Sequence, residues 1–173
     1  QLELMRRAGL YSVLLDETHD EHSIAGICPR AQHAAILFLR RLSGHAELMF
    51  SGEESGMDWG KHNAEDKWPR DFKGDLSRRA MYEHPLLKHP ALMHGRRKPL
   101  AALNGNGQEG AIAAYILEHE GKRYLGMANI SNSVAKGRVN LDPDSIFDNK
   151  STFFRFRDIV GDYNKWAAQS GYA

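Results

Sequence analysis

The stretch Tyr11-Ser-Val-Leu-Leu15-Asp16-Glu17-Thr18-His19-Asp20-Glu21-His22 decides how this chain is read. An apolar run suited to a buried strand breaks off abruptly into a dense polar cluster. Strand ends are rigid, and in a barrel or an open α/β sheet they face a cleft, so chemistry collects there. His19 and Asp20 are therefore the first candidates for a site. The same residues also suit a solvated turn after a buried strand. Metal ligation by His19, Asp20 and His22 is a third possibility, but consecutive ligands with no distant partner at a clear spacing argue against it. No metal and no cofactor is expected.

Outward from this stretch, Leu2, Leu4 and Met5 with Arg6-Arg7 read as the end of a helix stopped by Gly9. A chain opening on Gln1 in this way reads as a piece of something larger. Leu10 to Leu15 form the strand, Ser23 to Pro29 turn the chain, and Pro29 suits the first position of a helix. Ala31, Ala34, Ala35, Phe38 and Leu42 then share one face at helical spacing, broadened by Ile36, Leu37 and Leu39. Gly44 ends that helix, and Ala46 to Phe50 make a short strand running into the turn-rich Ser51 to Gly56. Strand, helix, strand in close succession is the rhythm of a parallel sheet.

Met57 to Gly74 has no period and carries Trp59, Trp68 and Phe72 among many charges, a pattern typical of functional loops. Asp75 suits the cap of a helix through Leu76, Ala80 and Met81 to His84 or Leu87, with Pro85 and Pro90 limiting its regularity. After Pro99 the character changes. Ala111 to Leu117, Tyr124 to Ile130, Val134 to Leu141 and Phe153 to Val160 are strand-like runs separated by Gly, Asn and Asp turns. Glu118-His-Glu-Gly121 reads as a hairpin connection, and the spacing describes an antiparallel sheet or sandwich. The change of character falls between Gly95 and Gly110, where Asn104-Gly-Asn-Gly107 forms a polar loop.

Composition narrows the function classes. Apolar residues make up 42% of 173 and the formal net charge is +1, so the chain lacks the positive field of a nucleic-acid binder. The densest basic patch, Arg96-Arg97-Lys98, has no interleaved aromatics. Cys28 stands alone, which excludes a disulfide framework and a thiolate-rich metal site and suits the cytoplasm, although a secreted protein without disulfides would look the same. No stretch reads as a secretory signal or a membrane span, so neither nucleic acid nor membrane is expected as a partner.

Residues 11 to 141 resemble the closing part of the α-amylase family, glycoside hydrolase family 13. That family's seventh barrel strand ends in a phrase close to Asn-His-Asp-Glu-x-Arg, which reads Thr18-His19-Asp20-Glu21-His22-Ser23 here. Its eighth strand ends in Gly-Glu-Glu-x-Gly-Met, intact here as Gly52-Glu53-Glu54-Ser55-Gly56-Met57. A later His-Pro-Ala-Leu phrase is His89-Pro90-Ala91-Leu92, and Arg123-Tyr-Leu-Gly-Met-Ala-Asn-Ile-Ser-Asn132 is similar to a strand of the terminal sandwich. Thr18 and Ser23 depart from the first phrase, and Ser43 and His45 interrupt the usual proline-flanked turn before the eighth strand.

The resemblance implies an α/β fold: the last two strands and helices of a (β/α)8 barrel over residues 1–98, then an antiparallel β-sandwich over 99–173. It implies that Asp20 is the carboxylate that grips sugar hydroxyls in the transition state, with His19 as a donor to the same sugar. Sugar rings stack on aromatic faces, which makes Trp59 and Trp68 candidate substrate contacts beside ordinary loop packing. The implied activity is hydrolysis or transfer at α-glucosidic bonds of an α-glucan with retention. That chemistry needs a carboxylate nucleophile and a carboxylic acid across the scissile bond. In the family these come from the fourth and fifth strands, which this chain does not contain. Alone it is expected to be inactive, and to need the N-terminal barrel portion or another chain. The alternative is a non-catalytic amylase-like subunit, or a fragment that binds carbohydrate or a partner, which the changes at Thr18 and Ser23 favour.

Overall fold

A computed structural model of the chain describes residues 13–14, 22–56, 76–104, 110–141 and 157–161. The chain divides into two compact units, Gln1–Glu83 and His84–Ala173. The helix expected to end at Gly9, the capping Asp75 and the run Phe153 to Phe156 lie outside the described residues.

In the first unit, β1 (Val13–Leu14) pairs in parallel with β2 (Ala46–Glu47), Val13 opposite Ala46 and Leu14 opposite Glu47. The pairing continues as the amide of Leu48 donates to the carbonyl of Leu14 at 2.9 Å. Between the strands lie α1 (Ile24–Ile27) and α2 (Arg30–Ser43). The expected turn at Ser23 to Pro29 thus contains one helical turn, capped where the Ser23 side chain accepts from the amide of Gly26 at 3.2 Å. Pro29 stands one residue earlier than expected, as the N-cap of α2 rather than its first helical residue. Gly44 ends α2 in the left-handed conformation, φ 69°.

The packing of α2 differs from its apolar pattern. Leu42 is fully buried on the expected face, but Ala31 is exposed, and the other enclosed residues are His33, Leu37 and Arg40. At 3.6 residues per turn these three form one stripe on the opposite side of the helix. Each fully buried leucine contributes on the order of 1.5–3 kcal/mol. The histidine and arginine beside Leu37 require hydrogen-bond partners instead. The chain after β2 forms a 3₁₀ turn over Glu53–Ser55 between two left-handed glycines, Gly52 and Gly56. A further helix, α3 (Leu76–Glu83), packs against this turn and against α2.

In the second unit, a 3₁₀ turn over Pro85–Lys88 and the short α4 (Pro90–His94) are each started by a histidine, whose Nδ1 accepts a backbone amide two residues on. Burial and the neighbouring His119 lower the pKa of His89 below its ordinary value, which preserves that acceptor. Two antiparallel sheets follow. One has the order β3 (Arg96–Leu100), β5 (Ile112–His119), β6 (Lys122–Asn129), and the other pairs β4 (Ala102–Asn104) with β7 (Gly137–Val139). The β5–β6 connection is the expected hairpin, with Glu120 at φ 49° and Gly121 at φ 72°. Gly95 sits where α4 meets β5, and a Cβ there would lie 2.4 Å from the Ala91 carbonyl oxygen. Val134 to Leu141 is strand only over Gly137–Val139. The expected strand over Phe153 to Val160 does not reach its end: at Arg157–Gly161 the Asp158 carboxylate accepts from the amides of Val160 and Gly161, which curls the backbone.

The topology is mixed α/β. Among the described residues no sheet closes into a barrel, and none is seen forming a sandwich. No described helix is long and apolar enough to cross a membrane.

Candidate active-site rim

Because β1 and β2 are parallel and in register, Leu14 and Glu47 stand at the same end of the pair, and the chain after Glu47 runs into the Gly52–Gly56 turn. His19, Asp20, Trp59 and Trp68 lie outside the described residues. The described part of this end is the turn and what holds it.

Glu53 is the anchor. Its side chain is completely enclosed and forms a salt bridge of 2.7 Å from Oε1 to Arg40 Nη1. Tyr82 Oη donates to the same Oε1 at 3.0 Å, and the amide of Phe50 donates to Oε2 at 3.3 Å. Glu54 points elsewhere and accepts from the amide of Gly52 at 3.0 Å. Both glutamates are thus engaged by backbone amides, and Glu53 by an arginine as well. Arg40 also donates to the carbonyl of Leu48 at 3.3 Å and has Glu47 Oε2 at 3.8 Å, so two carboxylates offset its buried charge.

The network extends into α3. His33 Nε2 lies 2.8 Å from Tyr82 Oη, with the rings edge to face. His33 Nδ1 accepts from Arg78 Nη1 at 3.0 Å, and Arg78 Nη2 donates to the carbonyl of Cys28 at 2.9 Å. Burial, then Arg78, then Arg40 lower the His33 pKa to about 4, so the ring is neutral at pH 7. The stem of Arg78 passes directly over Gly56, where a Cβ would stand 2.5 Å from Arg78 Cβ.

His33, Arg40, Arg78 and Tyr82 are the residues that sequence reasoning missed. Their signal was present as polar residues at positions 33 and 40, four residues before and three after Leu37. Only a partner 13 to 49 residues away along the chain gives that spacing meaning.

Among the described carboxylates Glu47 meets Arg41, Glu53 meets Arg40, Glu83 meets Arg79 and Glu118 meets Arg96, Glu54 and Asp158 accept backbone amides, and Glu120 is exposed with His119 Nε2 3.9 Å away. Among the described residues no group of three or more His, Cys, Asp or Glu is arranged to hold a metal.

Comparison of the fold with solved structures brings up the crystal structure of a noncanonic maltogenic alpha-amylase, AmyB, from Thermotoga neapolitana. The likeness has a TM-score of 0.54 at 13% identity and covers 73% of this chain and 31% of that one. The fold resembles part of an amylase. At this identity the likeness speaks for fold alone, and the chain spans less than a third of the length of the amylase it matches. No protein-family model matches the chain, and no curated protein matches it.

Proposed function

We propose that this chain is an amylase-like binding portion that performs no glycosidic chemistry by itself and joins the remaining parallel strands of an amylase-like fold. The observation that carries this is the partial match to a much longer amylase, 31% of its length. Two features support it. Retaining hydrolysis needs two free carboxyl groups facing one bond, whereas the enclosed carboxylate among the described residues, Glu53, is paired with Arg40. The β1–β2 pair and the residues just after it also expose apolar side chains at Val13 (54%), Leu48 (57%) and Met49 (49%), whereas parallel sheets are ordinarily covered on both faces. The occupant that fits is more parallel sheet of the same kind, with residues 99–173 serving as the terminal β-domain. The chain alone should release no reducing sugar from malto-oligosaccharides, and sedimentation should show it self-associating at micromolar concentration. Sugar release by the isolated chain, or a compact monomer, would reject the proposal.

A second reading is supported by the parallel β1–β2 register, since in sequence β1 precedes His19-Asp20 and β2 precedes the Gly52 turn. In an assembled enzyme Asp20 would then grip the distorted sugar, with His19 donating beside it and Trp59 and Trp68 stacking. Asp20→Asn keeps the size of the side chain and removes its charge. In the assembly it should lower kcat with a smaller change in KM, a loss of about 3–4 kcal/mol of transition-state stabilisation. An unchanged kcat/KM would return His19-Asp20 to the role of a solvated turn.

A further inference from the structure

The hydrogen-bond directions around His33 are forced by its neighbours. Arg78 Nη1 can only donate, so His33 Nδ1, 3.0 Å away, must accept. The Glu53 carboxylate can only accept, so Tyr82 turns its O–H toward Oε1 at 3.0 Å. The Tyr82 oxygen is then left to accept from His33 Nε2–H at 2.8 Å. The geometry therefore holds a neutral imidazole in its Nε2–H tautomer, linking α3 through Tyr82 to the carboxylate that anchors the Gly52–Gly56 turn.

We infer that His33 is a positioning residue, an acid-sensitive latch whose neutral ring keeps α3 seated on the Gly52–Gly56 turn and whose protonation releases it. A proton on Nδ1 would turn the acceptor into a donor aimed at Arg78, setting two donors and two cations against each other at 3.0 Å. The described groups that face the ring come from α1, α2, α3 and the 3₁₀ turn. Arg40 lies on α2, Arg78 and Tyr82 on α3 and Glu53 in the 3₁₀ turn, while the Cys28 carbonyl at the end of α1 fixes the other arm of Arg78. Two guanidinium groups oppose a charge on the ring. Among the described residues the carboxylate of Glu53 reaches it only through Tyr82 and is already paired with Arg40. The turn transmits the change because α3 rests directly on it, with the Arg78 stem filling the space above Gly56.

The sign follows from linkage. The folded ring, with a pKa of about 4, binds a proton less readily than an unfolded histidine at 6.5. Its contribution is therefore whole above pH 6.5 and is lost as pH falls from 6.5 toward 4. One extra proton taken up on opening changes the closed-to-open ratio about tenfold per pH unit within that window. The inference concerns the turn whatever the chain binds, so it stands or falls apart from the α-glucan reading.

The test is nitrogen-edited NMR of His33 with hydrogen exchange over Phe50–Gly56 and Ser77–Glu83, corrected for intrinsic rates, between pH 7 and 4.5. It uses the full 173-residue chain and its His33→Gln variant. The glutamine carbonyl can accept from Arg78 and its amide can donate to Tyr82, but it cannot titrate. The expected result is an Nε2–H tautomer at pH 7, with protection in both segments falling about tenfold per pH unit below 6.5 and little changed in His33→Gln. An Nδ1–H tautomer, a His33 titration near 6.5, or an equal fall in protection in both proteins would overturn the latch. If His33→Gln does not fold, the wild-type tautomer and pH slope decide the question alone.

Discussion

The link between α2 and α3 and the β5–β6 hairpin are held by opposite kinds of chemistry. The first depends on a short series of side chains, Arg78 to His33 to Tyr82 to Glu53 to Arg40, drawn from positions far apart along the chain. The second depends on a backbone ladder of eight successive residue pairs closed by a two-residue turn. A ladder distributes its stabilisation, so one altered side chain costs little. A buried polar series concentrates it, because removing one member leaves another enclosed without its partner, and that penalty exceeds the net worth of the bond. The first unit should therefore break at single points and the second should yield gradually.

The largest expected effect comes from Glu53→Ala, which strips the enclosed Arg40 of its 2.7 Å partner. A loss of about 3–5 kcal/mol in the first unit is expected. It would be read as lost amide protection in α2, while protection in β5 and β6 stays near wild type. If Glu53→Ala left α2 protected, the contrast between concentrated and distributed support would fail.

Two glycines sharpen the contrast next. Gly56 and Gly121 have similar positive φ, 66° and 72°, but a Cβ at Gly56 would strike Arg78 Cβ at 2.5 Å while one at Gly121 meets nothing within 4 Å. Gly121→Ala should cost about 1 kcal/mol, the left-handed backbone strain alone. Gly56→Ala should cost at least about 1 kcal/mol more, since Arg78 must move and takes its bond to His33 with it. Equal losses in urea unfolding would mean that the Arg78 stem gives way freely.

A gain is expected at Glu120, whose φ of 49° suits asparagine or glycine better in a two-residue hairpin. Glu120→Asn should stabilise the second unit by about 0.5 kcal/mol, seen as a higher urea midpoint with an unchanged slope. The smallest effect belongs to the cross-strand pair Arg96–Glu118, 3.0 Å apart with Arg96 largely exposed. Arg96→Ala should change stability by no more than about 0.5 kcal/mol and less in high salt. A larger loss would show that an exposed pair on this ladder matters as a buried one does.

By itself the sequence determined the local features of this protein. Apolar runs, glycine stops and turn residues placed α2, its Gly44 cap and the β5–β6 hairpin, since each depends on residues only a few positions apart, and the strand, helix, strand order implied that β1 and β2 run parallel. The turn-rich run Ser51 to Gly56 likewise announced the turn found there. Only the tertiary structure decided which side of α2 is most enclosed, because the apolar stripe at Ala31, Ala34, Ala35 and Phe38 competes with a polar one at His33 and Arg40. Periodicity counts apolar residues and cannot credit a buried arginine whose carboxylate lies 13 positions away, or a histidine whose tyrosine lies 49 away. Burial of such groups is favourable only when their partners converge, and that convergence is a property of the folded chain.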